Sequence, residues 1–544
     1  MIMRNEFGEI ELDCLAAACG GRLINAGGKT VNKVTAGEGA QWGVEKAGRI
    51  GQNEELDSGN TGLGGKPLLA RGALKIDSRR ICRGDIFVAI RGKNLNGEQF
   101  IGDAFSNGAV AVICGRGASE RLGVTGVCIE VDDVETALVR AAKKARDCMG
   151  AMVIGITGSV GKTTVKELCI NVLSQGFPTD GTPENNNNIL GLSLAVLNAF
   201  GYDKMSEIRG KYPHMSGKEK KYLVLEMGIS HPGEMELLTD IARPDIAVVT
   251  NVGSMHAEGL GGRDKIAEEK IKIAADDCTH LFFNGDCEIY AAAERLGQKC
   301  RCIPIYCSEG EGKSELRSNG SGFGKIDNIA FPESVDSTRF DLTYTNDLGK
   351  TTVLRQIAVP LVGVHGATDG AYAVAVGIHC GLSETEIRRG LSEYAPVGLR
   401  QRLIFDNGKY RIIDCYNSGP TSVRAALSAM EIYSVRYGCK RRVAVLGSML
   451  ELGDSSYVEH YRLGLELAER GVRLLFTVGR EAMWIAEGAV QGGLGSEAVF
   501  TFETPLHLDD IRTLIESKLK EDDIILYKAS RGIGLERLID KDLL

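Results

Sequence analysis

Within the run MVIGITGSVGKTTVKELC, the residues Gly158, Gly161, Lys162, Thr163 and Thr164 have the types and order of a phosphate-binding turn. Two glycines let the backbone fold tightly enough for its N–H groups to face phosphate oxygens. The helix expected to follow adds its positive N-terminal end. Lys162 could bridge the outer phosphates of a nucleotide, and the Thr163 hydroxyl could enter a magnesium shell. The loop is shorter than the ordinary pattern of a glycine, four residues and Gly-Lys-Ser/Thr, because Ile156 stands where the first glycine belongs. An ordinary strand-to-helix turn is the plain alternative. What favours phosphate is the order: an apolar strand, then GxxGKTT, then the helical VKELCINVLSQ.

A phosphate loop needs a metal partner, and the end of a neighbouring strand is where one belongs. KYLVLEMG carries Glu226 at such an end, where a carboxylate is costly unless it holds a cation or hydrogen bonds. His256 follows the apolar run DIAVVTNVG and is the second candidate ligand, although a lone histidine is more often structural. In TPENNNNILG, the asparagines Asn185, Asn187 and Asn188 read two ways. They form a polar turn capping the next helix, or a loop whose amides bind an oxygen-rich substrate.

The elements that must position these residues are strands alternating with helices. MVIGITG, KYLVLEMG, DIAVVTNVG and HLFFNGDC are short apolar runs, each followed by helix-like sequence. This is the signature of a parallel sheet with function at the strand carboxyl ends. A second strand series, YRIIDCYN, RRVAVLGSM, RLLFTVG and DIILYKAS, predicts a further α/β domain. Ahead of both, IELDCLAAACGGRLIN reads as a helix and a strand, LLARGALKIDSRRICRGDIFVAIRG alternates like β-structure, and VETALVRAAKKARDC reads as the helix leading out. Three α/β domains are therefore expected: residues 1–148, with a glycine-rich insertion at about 36–70; a central P-loop ATPase-like domain, 149–397, with a mainly parallel sheet; and a Rossmann-like domain, 398–544. KYPHMSGKEKK (211–221) and residues 308–325 read as surface insertions.

The 544 residues are 43% hydrophobic and 25% charged, with a net charge of −8, which disfavours a nucleic-acid binder. Fifteen cysteines without a CxxC pair read as reduced thiols of a cytoplasmic protein; Cys300, Cys302 and Cys307 are the one tight group. The N-terminus carries no signal pattern, and no run approaches the roughly 20 apolar residues a membrane span needs. A dinucleotide oxidoreductase is disfavoured because no GxGxxG follows the first central strand.

Taken in order, TGSVGKTTVKE, NNNNILG, LEMG, HAEG and CYNSGPTS resemble the Mur ligases, whose short phosphate loop is shared with folylpolyglutamate synthetases. IDSRRICRGDIFVAIRG resembles an N-terminal element of the same family. TGSVGKT and YNSGP are similar to the D-alanyl-D-alanine-adding type, rather than the type carrying TNGKT and AHNPD. The resemblance implies an ATP-dependent amide ligase of peptidoglycan synthesis, acting on UDP-N-acetylmuramoyl-tripeptide and D-alanyl-D-alanine as a cytoplasmic monomer, with no nucleic-acid or membrane partner. Thr157, Gly158, Ser159, Val160, Gly161, Lys162, Thr163 and Thr164 would hold ATP, with Arg400 and Asp414 reaching it from the third domain. Thr163, Glu226, His256 and Lys270 would serve magnesium, two ions in such ligases, with Lys270 as a carbamate. Lys162, Lys270 and His256 would be catalytic. Ser78 and Arg79 would take the uridine diphosphate, and Asn185, Asn187 and Asn188 the acceptor. Tyr416 and Asn417 would lie at the cleft, and Lys528, Ser530 and Arg531 near the dipeptide.

The sequence also departs from the family pattern. HNxxN appears as HGATD, so Gly366 and Asp369 replace asparagines; Ser448 stands for Asp, and Lys272 for a Glu two residues after Lys270. A relative using another amine and a regulatory nucleotide switch are the alternative readings.

Overall fold

The computed structural model describes residues 9–24, 68–92, 95–201, 208, 210–212, 220–253, 257–275, 277–285, 288–295, 300–307, 322–504 and 508–539. The glycine-rich insertion expected at 36–70 lies almost wholly outside these residues, as do 213–219 and 308–321 of the two expected surface insertions.

The chain divides into two compact units, residues 1–150 with 189–211, and residues 151–188 with 212–544. In the first unit, β1 (Ile10–Glu11) pairs antiparallel with β3 (Leu69–Ala70). A five-stranded sheet has the order β2 (Arg22–Ile24), β7 (Val127–Val131), β6 (Ala111–Gly115), β5 (Ile86–Val88), β4 (Leu74–Lys75), parallel except for β2. The expected helix Val134–Cys148 begins under an Asp133 cap, whose carboxylate accepts the Thr136 N–H at 2.8 Å. It buries Ala137, Leu138, Ala141 and Ala142, the helical spacing visible in the sequence. Sequence reading did not anticipate that the helix Ile189–Asn198 would belong to this unit, where the Asn198 amide brackets Leu74: Oδ1 accepts its N–H at 2.8 Å and Nδ2 donates to its carbonyl at 2.9 Å.

The second unit holds two sheets. The larger has nine strands in the order β16 (Thr351–Val359), β15 (Thr338–Thr345), β14 (Phe323–Ala330), β13 (Arg301–Cys307), β12 (His280–Asn284), β11 (Ile246–Val249), β8 (Ala151–Thr157), β10 (Lys221–Glu226), β9 (Thr179–Gly181). From β14 to β9 it is parallel; β14, β15 and β16 run antiparallel. Phe323, Gly324 and Lys325 thus begin a strand, correcting the reading of residues 308–325 as insertion throughout. Strands buried on both faces explain the continuous apolar runs. The helices Lys162–Leu173 and Val364–His379 pack against this sheet through Val165, Leu168, Val172, Ala371 and Val374.

The smaller sheet has the order β17 (Arg402–Asp406), β18 (Lys409–Ile413), β22 (Asp523–Lys528), β19 (Arg441–Gly447), β20 (Val472–Val478), β21 (Val499–Phe502), parallel except for β17. Its two faces each carry an apolar core, one with Ile412, Leu427 and Leu446, the other with Val443, Phe476 and Ile525. Among the described residues no helix is long and apolar enough to cross a membrane.

Candidate active site

β8 lies between β10 and β11, and the chain leaves it toward β9 and β10 on one side and toward β11, β12 and β13 on the other. That reversal opens a crevice at the carboxyl ends. The register sets Glu226 beside Ile156, and Val249 beside Thr157. Glu226, the phosphate-type loop and the Thr250–Asn251 pair therefore arrive at one level.

The loop needs its glycines. Gly158 has φ +149°, and a Cβ there would stand 1.9 Å from Thr250 Oγ1. Gly161 has φ +85° and caps the helix Lys162–Leu173. Asn251 Oδ1 accepts the N–H groups of Ser159 and Val160 at 3.1 and 2.9 Å, and the Ser159 hydroxyl accepts the Gly253 N–H at 2.8 Å. The first closed helical bond is Val165 N–H to the Gly161 carbonyl. The N–H groups from Gly161 to Thr164 thus have no acceptor within the helix and are the donors available to an anion. Thr157 Oγ1 lies buried beside them with no hydrogen-bond partner. These features fit a polyphosphate.

Lys162 Nζ curls over its own loop and donates to the Gly158 carbonyl at 2.7 Å. Burial pushes its pKa down, Glu226 opposing this and Arg400 adding to it. The Thr163 hydroxyl donates to Glu226 Oε2 at 2.7 Å and accepts from Arg400 at 3.0 Å. Glu226 is 1% exposed, and its other oxygen accepts from Asn187 Nδ2 at 2.9 Å. A hydroxyl and a buried carboxylate converging at a helix N-terminus form an oxygen-only donor set, the kind magnesium takes. Asn187 spends its side-chain amide on Glu226 rather than on a helix cap, so neither sequence reading of the asparagine run foresaw this contact. Asn185 accepts the Asn187 N–H through its carbonyl at 2.7 Å, and Asn188 ends the same loop.

Lys270, on the helix Arg263–Ile271, is 1% exposed. Burial holds its pKa well below the ordinary lysine value, the Lys162 charge adds to this, and Glu269 opposes it. Glu269 accepts the N–H groups of Gly233 and Met235, and Lys272 turns to Glu269 and Glu236 at 2.7 and 2.9 Å. His256 lies outside the described residues.

From the smaller sheet, Arg400 stacks 3.7 Å from the Tyr416 ring centroid, and Arg531 lies 5.6 Å from it. The Asp414 carboxylate pairs with buried Lys528 at 2.7 Å, and Lys528 also donates to the Asn417 carbonyl at 2.9 Å. Ser530 donates to the Ser418 carbonyl and accepts the Leu450 N–H. Ser448 accepts the Ala482 N–H at 3.1 Å, a structural use of the position where the family pattern carries Asp. In the first unit, Ser78 and Arg79 start a short 3-10 turn; Ser78 is buried, and exposed Arg79 grips Asp77 at 2.8 Å.

The chain is 31% identical over 480 residues to the UDP-N-acetylmuramoyl-tripeptide–D-alanyl-D-alanine ligase of Bacillus subtilis, covering 86% of this chain and 92% of the relative. The chain belongs to the Mur ligase family. Within it, residues 72–146 match the Mur ligase family catalytic domain, 156–376 the Mur ligase middle domain, and 400–531 the Mur ligase glutamate ligase domain. Among solved Mur ligases, MurF from Acinetobacter baumannii superposes with a TM-score of 0.67 at 27% identity, covering 87% of this chain and 93% of that one. The Thermotoga maritima MurF structure in complex with ADP gives 0.64 at 25%, covering 86% and 96%. The three-domain α/β fold class expected from the sequence is thereby supported.

This Mur ligase also uses residues that sequence reading passed over. Asn251 shapes the loop, and its place just past an apolar strand was the available signal. Lys166, fully buried, donates to the carbonyls of Thr182 and Glu184 at 2.8 and 2.7 Å, tying the loop helix to the segment before the asparagines. Asp369 was noted as a departure at an adenine contact. Its carboxylate instead lies against the phosphate loop, 2.7 Å from where a Gly161 Cβ would stand, and burial pushes its pKa up to about 8.

Proposed function

We propose that this Mur ligase joins D-alanyl-D-alanine to UDP-N-acetylmuramoyl-tripeptide, with conversion of ATP to ADP and phosphate, in the cytoplasmic synthesis of peptidoglycan precursor. The observation that carries the reading is the convergence of Lys162, Thr163, Glu226 and Arg400 at the crevice beside β8. The names of the relatives point the same way and give no support to a different amine or to a regulatory switch.

The first-turn N–H groups and Lys162 hold the outer phosphates of ATP. Thr163 and Glu226, with His256 and Lys270, would hold magnesium, which would neutralise phosphate charge. The terminal carboxylate of the peptide attacks the γ-phosphorus, the bond to the bridging oxygen breaks, and ADP leaves. The dipeptide amine then attacks the acyl carbon, and phosphate departs as the amide forms. Arg400, already stacked on Tyr416, offers charge to the transferring group. Ser78 and Arg79 serve the uridine diphosphate end; Asn185, Asn187 and Asn188 serve the acceptor; and Asn417, Ser530 and Arg531 the dipeptide. Asp414 and Lys528 order the segment that bears Tyr416 and Asn417. Residues 1–148, 149–397 and 398–544 act as the substrate, ATP and amine domains.

The Lys162→Ala variant should lower turnover on the order of a hundred- to a thousandfold while remaining folded. A folded variant with normal turnover would remove the assignment.

The carbamate on Lys270 belongs to this proposal. Burial lowers the pKa of the Lys270 amine and so favours its neutral form, the form that adds to carbon dioxide with release of one proton. Equilibration with labelled carbon dioxide should give a carbamate carbon signal that is lost in Lys270→Ala. Identical spectra for the two proteins would exclude it.

A further inference from the structure

Three thiols meet at the edge of the nine-stranded sheet opposite the phosphate loop. Cys278 stands two residues before β12, Cys300 immediately before β13, and Cys302 is the second residue of β13. β12 and β13 are parallel neighbours with His280 beside Arg301 and Leu281 beside Cys302, and the Arg301 N–H donates to the Thr279 carbonyl at 3.0 Å. Cys278 and Cys300 therefore lie one residue out of step on adjacent strands, which stand about 4.8 Å apart. The Cys278 and Cys302 thiols both lie within hydrogen-bonding reach of Cys300 sulfur. Cys278 is buried, whereas Cys300 and Cys302 are half-exposed.

We propose that Cys278 and Cys300 are a peroxide-oxidised dithiol that closes to an inter-strand disulfide. Cys300 is half-exposed where Cys278 is buried, and two donor thiols favour its thiolate against the effect of burial, so Cys300 is the sulfur oxidised first. Its thiolate attacks the peroxide, the O–O bond breaks, hydroxide leaves, and Cys300 becomes a sulfenic acid. Cys278 then attacks that sulfur, gives up its proton, and expels the oxygen as water. In sum, two thiols lose two electrons and two protons, and one peroxide becomes two waters. Cys302 bonds back to the Cys300 carbonyl and lies two residues away on the same strand, a poorer geometry for ring closure. The buried Cys114–Cys128 pair of the first unit is the internal contrast, having mutual contact but no access. The five residues of β12 span about 16 Å, so the bond forms far from the phosphate loop at the carboxyl ends.

The test treats the whole protein with hydrogen peroxide, blocks the remaining thiols with N-ethylmaleimide and maps peptides by mass spectrometry. The expected product joins the Cys278 and Cys300 peptides, two hydrogens lighter than the separate thiols. Iodoacetamide at mildly acid pH should label Cys300 at least about tenfold faster than exposed Cys82 or Cys148. In Cys278→Ser, oxidation should stop at a dimedone-trappable Cys300 sulfenic acid; in Cys300→Ser, Cys278 should stay unmodified. The proposal is overturned if the wild-type protein links Cys300 to Cys302 instead, forms no link, or labels Cys300 no faster than Cys82.

Discussion

Asp369 is where one side chain sets a measurable property. Its carboxylate lies against Gly161 with its pKa raised to about 8 by burial. An acid whose folded value exceeds its unfolded value binds an extra proton in the native state between the two. Stability from this group is therefore complete below about pH 4, declines as pH rises toward 8, and is flat above. The Asp369→Asn variant, which restores the residue the family pattern carries, should lose that slope and melt higher at pH 8 while matching the parent near pH 4. Parallel melting curves across this range would show that the carboxyl titrates normally. The same change removes negative charge from beside the phosphates, so the Michaelis constant for ATP should fall most at alkaline pH.

Among elements, the helix Lys162–Leu173 connects the nucleotide loop to the acceptor loop. Lys166 does this by holding the carbonyls of Thr182 and Glu184, while Thr182 Oγ1 accepts the Glu226 N–H at 2.8 Å. Lys166→Met keeps the length of the side chain but leaves the buried Thr182 carbonyl and the part-buried Glu184 carbonyl short of a donor. It should cost about 1–3 kcal/mol of stability. It should also raise the Michaelis constant for the peptidyl nucleotide more than that for ATP. Equal changes in both constants would mean that Lys166 is only structural. Much of this region was legible in the sequence. Strand, short loop and helix could be read because the run to Thr157 is apolar and the glycines allow a tight turn that other residues would resist there. Glu226 could be read because a carboxylate ending such a run needs a reason. Asn251 offered only its place just past an apolar strand, and the placement of Asp369 offered no signal, since their roles arise from register and helix packing that bring residues 91 and more than 200 positions away onto the loop. The antiparallel strands β14 to β16 were equally silent. β16 alternates only loosely, with most of its residues exposed or half-exposed, so no apolar run marks it.

In the whole molecule, the chain passes between its two compact units at 150/151, 188/189 and 211/212. All the residues gathered around the phosphate loop belong to the second unit, and each unit has its own sheet and core. A non-hydrolysable ATP analogue should therefore stabilise one of two calorimetric transitions, by about 2.7 kcal/mol at a hundredfold excess over Kd. The transition of the smaller unit should stay where it was. Equal displacement of both, or a single transition, would show that the units unfold together. The net charge of −8 does not oppose an anionic nucleotide, because Lys162 and Arg400 are concentrated at the loop proposed to bind it.

The carboxamide of Asn251 has one more implication. By occupying two loop amides from a neighbouring strand, it gives the turn its shape before any nucleotide arrives. A longer loop would have to order itself around its guest and lose that entropy on binding. Here the rigidity comes from folding, so a loop with fewer residues has less freedom left to lose when a nucleotide arrives.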